Sequence, residues 1–358
     1  MNHSPFFCLF PGQGSQHVGM VKDFYENFAV VRHTFEEASD ASRLNVKKLC
    51  FDGPESDLTL TANTQPCLLT ASVAVFRVLK SELPLNLNLM AGHSLGEYSA
   101  LVAANALQLA TAVRWVRERG LAMQSAVPSG EGTMAAVIGL DDSKINELCA
   151  KATRQALLNR DKTGAALTTE CIVEPANFNS PGQIVVAGSL DAVEAVESLC
   201  QTDTEYSGAK AIRLNVSAPF HCRLMKPARE RMREVFETAL SNEVPRKLDC
   251  AYIANANARI ITEPGLILDL LEEQIDHPVL WSQSLQTLIQ SQGAGTQGSA
   301  QQGDDSQPIV GIECGPGRVL TGLARRNSKR LQMISVSDVK SLKSLEELLT
   351  AKKAGNSV

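Results

Sequence analysis

The sequence predicts an α/β protein built on a largely parallel sheet, with a smaller βαββαβ subdomain inserted into it. At 358 residues the chain exceeds the usual size of one compact domain, so a large core plus a second unit is expected. Short apolar runs that end in glycine-rich turns alternate with segments of helical period, the pattern of parallel strands joined by helices. Over residues 133–216 that alternation shortens and becomes self-contained.

Taken in order, residues 6–10 read as a first strand ending in Pro11-Gly12-Gln13-Gly14. Residues 65–80 read as a buried helix, 85–91 as a strand, 94–106 as the helix after it, and 107–127 as a further helix. In the inserted unit, strands are expected at 134–140, 171–178, 183–187 and 211–216, with helices at 142–152 and 191–200. Asn179-Ser180-Pro181-Gly182 supplies the turn between the two middle strands, and the resulting order is ferredoxin-like. Residues 293–307 hold almost no apolar side chains and read as a surface loop; residues 351–358 read as a frayed tail.

Composition removes several function classes. The formal charge of −5 gives no global attraction to nucleic acid or to anionic lipid. Nine scattered cysteines with no C-x-x-C pair argue against a zinc or redox site and read as reduced residues of a cytoplasmic protein. The N-terminus lacks the basic and long apolar regions of a signal peptide, and no apolar run is long enough to span a membrane.

Gly92-His93-Ser94-Leu95-Gly96 matches G-x-S-x-G between an expected strand and an expected helix. The glycines allow a sharp turn that exposes the serine at a helix N-terminus, where free N–H groups and the helix dipole can stabilise an oxyanion. A serine before a helix is more often just an N-cap, so Ser94 needs a base to become a nucleophile. Of six histidines, His3, His33, His93 and His277 read as solvated or structural, which leaves His17 and His221. His221 follows a strand end, where catalytic groups of open α/β sheets gather, and is favoured over His17.

The helix at 107–127 has an apolar stripe of Leu109, Ala112, Val116, Gly120, Met123 and Val127, and Arg119 falls within it. A guanidinium facing inward needs an anion, either an internal Asp or Glu or the carboxylate of a substrate. Gly12-Gln13-Gly14-Ser15-Gln16 follows a strand, but His17 occupies the third glycine position of a dinucleotide fingerprint and no lysine makes a Walker loop. Such a loop can instead bring a backbone N–H to a reacting centre.

These pieces resemble the malonyl-CoA:acyl carrier protein transacylase family, which includes acyltransferases of fatty acid and polyketide synthesis. The resemblance runs over nearly the whole chain. It is carried by Phe10-Pro11-Gly12-Gln13-Gly14-Ser15-Gln16, Thr64-Gln65-Pro66, Gly92-His93-Ser94-Leu95-Gly96-Glu97-Tyr98, Arg119-Gly120, Asn177-Phe178-Asn179-Ser180-Pro181-Gly182-Gln183, Ser217-Ala218-Pro219-Phe220-His221, Gln274 with His277-Pro278-Val279, and Glu313-Cys314-Gly315-Pro316-Gly317. It implies a hydrolase-like α/β core over 1–132 and 214–358 with a ferredoxin-like insert over 133–213. Ser94 would be the acylated nucleophile, His221 its base, Gln13 and Leu95 the oxyanion N–H donors, and Arg119 the ligand of the malonyl carboxylate. Gln274 would lie beside the site, where a main-chain carbonyl steers the His221 ring, and bulky Phe220 leans toward malonyl over larger acyl groups. The expected partners are malonyl-CoA and an acyl carrier protein, with coenzyme A thioester as substrate, no bound cofactor or metal, and a monomeric chain. One departure is Ile253-Ala254-Asn255-Ala256-Asn257, where many members carry Val-Asn-Asn-Val-Asp, so hydrogen bonding near the site is expected to differ.

Two rival readings use the same residues: a hydrolase that clears acyl chains from carrier proteins, and a non-catalytic scaffold of a synthase complex. A trans-acting acyltransferase of polyketide synthesis is a third variant of the activity. Carrier proteins are acidic, so docking needs a local basic patch, and the densest run is Arg318, Arg325, Arg326, Lys329 and Arg330. The alternative for that run is a solvated helix surface.

Overall fold

The computed structural model describes residues 6–163, 168–240, 243–293 and 307–355. Most of the loop expected at 293–307 and the end of the tail lie outside the described residues. Among the described residues ten strands are formed: β1 Phe6–Phe10, β2 Leu87–Gly92, β3 Gly132–Ile138, β4 Val173–Ser180, β5 Gln183–Ser189, β6 Lys210–Arg213, β7 Ala251–Ile253, β8 Ile260–Ile261, β9 Ile309–Cys314 and β10 Leu331–Val336.

Six strands make the larger sheet in the order β10-β9-β1-β2-β7-β8. All neighbours are parallel except the short β7–β8 pair. The central strand β1 is buried along its whole length, which is why it reads as an unbroken apolar run. Its side chains alternate. Phe6, Cys8 and Phe10 enter the main core, whereas Phe7 and Leu9 enter a second cluster with Trp281, Leu285 and Leu320 on the other face. Helices Thr61–Glu82 and Leu109–Ser125 therefore pack on one side, and Trp281–Gly293 and Val319–Asn327 on the other.

The second sheet has the order β4-β5-β3-β6 and is antiparallel throughout. Helices Asp142–Thr163 and Leu190–Thr202 cover one face of it, giving a separate apolar cluster that includes Ile145, Leu148, Val186 and Val196. The sequence order of these elements is βαββαβ, as expected, but the bounds move. Helix 142–163 runs well past residue 152, because favourable helix formers continue through Ala156, Leu157 and Leu158. The last strand ends at Arg213 instead of 216: the ladder with β3 runs over residues 210–213, and after one further bond from the Leu214 N–H to the Met134 carbonyl the chain leaves the sheet.

This sheet is stitched to the larger body through Val279. The Phe178 N–H donates to the Val279 carbonyl at 3.0 Å, and the Val279 N–H donates to the Ala176 carbonyl at 2.9 Å. Among the described residues no helix is long and apolar enough to cross a membrane.

Candidate active site

The turn between β2 and helix Gly96–Ala103 places Ser94 just past the C-terminal end of β2, an interior strand of the larger sheet. Both motif glycines are required by close approach. A Cβ on Gly96 would overlap the Phe10 carbonyl oxygen of β1, and one on Gly92 would overlap the Gly96 backbone. Ser94 itself holds φ of 51°, a left-handed conformation that a non-glycine residue adopts only when its surroundings impose it. Asn255 imposes it. Its Oδ1 accepts the Ser94 N–H at 2.7 Å and its Nδ2 donates to the Gly92 carbonyl at 2.7 Å, so one buried amide clamps both sides of the turn.

His221 reaches the same point from the segment after β6 and is itself held at φ of 62°. Its Nε2 lies 2.7 Å from Ser94 Oγ, and its Nδ1 lies 2.8 Å from the Gln274 main-chain carbonyl. A carbonyl can only accept, so Nδ1 carries the proton and Nε2 is the free base facing the serine hydroxyl. Burial, and after it the nearby Arg119 charge, lowers the His221 pKa from 6.5 to about 3. The imidazole is therefore neutral, as a general base must be.

Arg119 is fully buried. One guanidinium nitrogen donates to Gln65 Oε1 at 2.9 Å; the other donates to Gln274 Oε1 at 2.7 Å and to Ser94 Oγ at 3.2 Å. Its Nε–H has no partner among the described residues, and no ion pair found among them includes Arg119. Burial pushes its pKa down from 12.5. Of the two partners the sequence leaves open, the internal carboxylate is not in contact.

The Gln13 and Leu95 backbone N–H groups do not donate to any group among the described residues, whereas the Ser94 N–H is taken by Asn255. Phe220, adjacent to the base, is buried in the main core. His17 is exposed, and its ring Nδ1 lies 3.4 Å from the Ser15 carbonyl. His93 turns away from Ser94, with its Nε2 2.8 Å from Asn179 Oδ1 and its ring against Trp281. Arg318, Arg325, Arg326 and Lys329 are exposed and Arg330 is half-buried, on and around helix Val319–Asn327; Arg326 also donates to Gln183. A cavity of about 630 Å³ lies against the far flank of His221, between Cys149, Phe178, Cys222 and Pro278. Neither Ser94 nor Arg119 lines it.

Residues 7–296 match the acyl transferase domain family. The malonyl CoA-acyl carrier protein transacylase of Bacillus subtilis (strain 168) is 40% identical over 330 residues, 92% of this chain and 92% of that one. That of Escherichia coli (strain K12) is 41% identical over 324 residues, 90% of this chain and 92% of that one. The chain belongs to the malonyl CoA-acyl carrier protein transacylase family. Among solved members, the acyl carrier protein S-malonyltransferase of Vibrio cholerae O1 superposes with a TM-score of 0.81 at 41% identity, covering 96% of this chain and 100% of that one. A malonyl-transacylase solved in complex with a type II PKS acyl-carrier protein gives 0.81 at 39% identity, over 95% of this chain and 98% of that one.

Within this transacylase, four polar residues of the site escaped the sequence reading as individual participants: Gln65, Glu97, Asn179 and Asn255. Gln65 and Glu97 carry the same signal that exposed Arg119, a polar side chain on an otherwise apolar helix. Asn179 and Asn255 lie at a strand end and in an irregular segment, where no periodicity assigns a facing direction.

Proposed function

We propose that this chain transfers malonyl from coenzyme A to the phosphopantetheine thiol of an acyl carrier protein through a Ser94 ester. His221 Nε2 takes the hydroxyl proton as Ser94 Oγ attacks the thioester carbonyl. The Gln13 and Leu95 N–H groups are the free donors available to the resulting oxyanion. As the C–S bond breaks, the proton on His221 passes to the departing sulfur and coenzyme A leaves. The carrier protein thiol then gives its proton to His221 and attacks the ester, and Ser94 Oγ regains that proton on leaving. Ser94, His221 and the two thiols supply every proton and electron pair, so the scheme calls on no cofactor.

The observation that carries this reading is Arg119: a fully buried guanidinium, 3.2 Å from the nucleophile, with no partner for its Nε–H and no carboxylate in contact among the described residues. A malonyl carboxylate, one CH2 beyond the reacting carbonyl carbon, supplies the missing charge and acceptors. Neutral acyl chains do not, which favours malonyl transfer over general acyl hydrolysis. Phe220 bounds the acyl group beside the base. Residues 133–213 form the inserted unit of this reading, and 1–132 with 214–358 the catalytic body. The enzyme acts as a cytoplasmic monomer, and Arg318, Arg325, Arg326, Lys329 and Arg330 form the docking patch for its acidic partner.

The test is Arg119→Ala, assayed with malonyl-CoA and acetyl-CoA. The malonyl-to-acetyl ratio of kcat/KM should fall on the order of 10²-fold. An equal loss for both substrates removes the carboxylate-binding role.

A further inference from the structure

Glu97 is fully buried in the first turn of the helix that follows the nucleophile. Its Oε2 accepts from Gln274 Nε2 at 2.6 Å and from the Asn255 N–H at 3.1 Å, while Oε1 has no partner among the described residues. The proposed scheme gives Glu97 nothing to do. It does not touch Ser94 Oγ, His221 or the guanidinium, yet a carboxylate buried in this way is expensive to hold.

We infer that Glu97 is a positioning residue whose carboxylate fixes the orientation of the Gln274 side-chain amide and, through it, holds the Arg119 guanidinium open for a substrate carboxylate. A side-chain amide has a donating and an accepting end, and it can turn over. Gln274 Nε2 faces two acceptors, Glu97 Oε2 and the Ser94 carbonyl at 3.1 Å, so its Oε1 faces Arg119. Reversed, the amide would set an N–H against the guanidinium donors. Ionised, above about pH 7, Glu97 also brings a negative charge one amide away from Arg119. A carboxylate in direct contact would fill the guanidinium edge that malonyl needs. A carboxylate acting across Gln274 stabilises the buried cation and leaves that edge free. The asymmetry within the site agrees with this division: Gln274 uses its main-chain carbonyl for His221 and its side chain for Arg119.

This inference rests on the carboxylate-binding role proposed for Arg119, and the experiment separates the two. Glu97→Gln is isosteric and supplies an N–H that can stabilise the reversed Gln274 amide. Its acylation by malonyl-CoA and acetyl-CoA is followed by rapid-quench mass spectrometry, alongside Arg119→Ala and the double variant. The malonyl-to-acetyl ratio should fall on the order of 10-fold in Glu97→Gln, the scale of one misplaced charge-assisted hydrogen bond. It should fall no further when Glu97→Gln is added to Arg119→Ala. A purely structural role would reduce both substrates alike and leave the ratio in place. An unchanged ratio in Glu97→Gln, with a selective loss in Arg119→Ala, overturns the inference and leaves the function standing. A further drop in the double variant also overturns it, because Glu97 would then act elsewhere. If Arg119→Ala itself is unselective, both fall. Should Glu97→Gln not fold, Gln274→Met cuts the same relay from the other side, keeps the main-chain bond to His221, and must give the same selective loss for the inference to survive.

Discussion

Asn255 holds Ser94 by the backbone, not by the hydroxyl: its amide takes the Ser94 N–H and returns a hydrogen bond to the Gly92 carbonyl, both at 2.7 Å. The nucleophile's left-handed φ is therefore maintained by a side chain from a different part of the sheet. Asn255→Ala leaves two buried backbone groups without partners and should destabilise the protein by about 2–4 kcal/mol. It should also slow acylation about 10-fold, because an unclamped Ser94 can relax away from His221. Urea denaturation and stopped-flow acylation measure the two effects. A destabilised variant with undiminished acylation would show that the clamp serves the fold alone.

The pH dependence of the first half-reaction reports on His221. An ordinary histidine of pKa 6.5 would leave only a few per cent of free base at pH 5, a loss of about 30-fold from the plateau. With burial lowering the pKa to about 3, the base stays unprotonated over that range. Acylation by a neutral ester such as p-nitrophenyl acetate, which makes no demand on Arg119, should be flat from pH 8 to 5. A titration near pH 6.5 that persists in Glu97→Gln would contradict the buried, neutral imidazole.

Glu97 has a stability signature of opposite sign. Burial raises its pKa from 4.5 to about 7, against hydrogen bonds from Gln274 and Asn255 and the Arg119 charge, which lower it. Between those values the unfolded chain has released a proton that the folded protein keeps, so this group's contribution to stability declines as pH rises from 4.5 to 7 and stays low above. Relative to wild type, Glu97→Gln should gain up to roughly 3 kcal/mol across that window. Taking the difference between the two proteins cancels the carboxylates whose pKa is lowered, such as Asp191 and Glu272. Parallel stability curves across that window would mean that the carboxylate is not held at a cost.

Reversing Arg325 and Arg326 to Glu should slow acyl transfer to the carrier protein and leave acylation by malonyl-CoA nearly unchanged. The wild-type second step should weaken with added salt, since exposed charges act mainly on encounter rate. Equal slowing of both half-reactions, or of neither, removes this helix as the docking surface.

Much of this was legible in the chain. The G-x-S-x-G turn announced its own geometry, because glycine is demanded wherever backbones meet as closely as Gly96 and Phe10 do. Arg119 stood out as a charge on an apolar stripe. What the residues alone left open was pairing across long separations. Nothing in the spacing of Ser94 and His221 sets the 2.7 Å between them, nor does it show that His17 is exposed. The polar network behind the site was less visible still. Glu97, Asn255 and Gln274 meet because three distant segments converge on one turn, a pairing that no spacing in the chain sets. Strand ends were misjudged where apolar content continued past the last ladder partner, as after Arg213.

The two main-chain hydrogen bonds through Val279 bear on how this enzyme can move. They join β4 to the chain that follows helix Ile267–Asp276, the helix that also carries Gln274. Asn327 adds a third tie, donating to the Asn179 carbonyl at 2.9 Å. A hinge between the inserted unit and the catalytic body would have to break backbone pairing a few residues from the atom that orients the base. The body is thus built as a fixed jaw and not as a clamshell. Substrate choice in a fixed jaw is made by static fit.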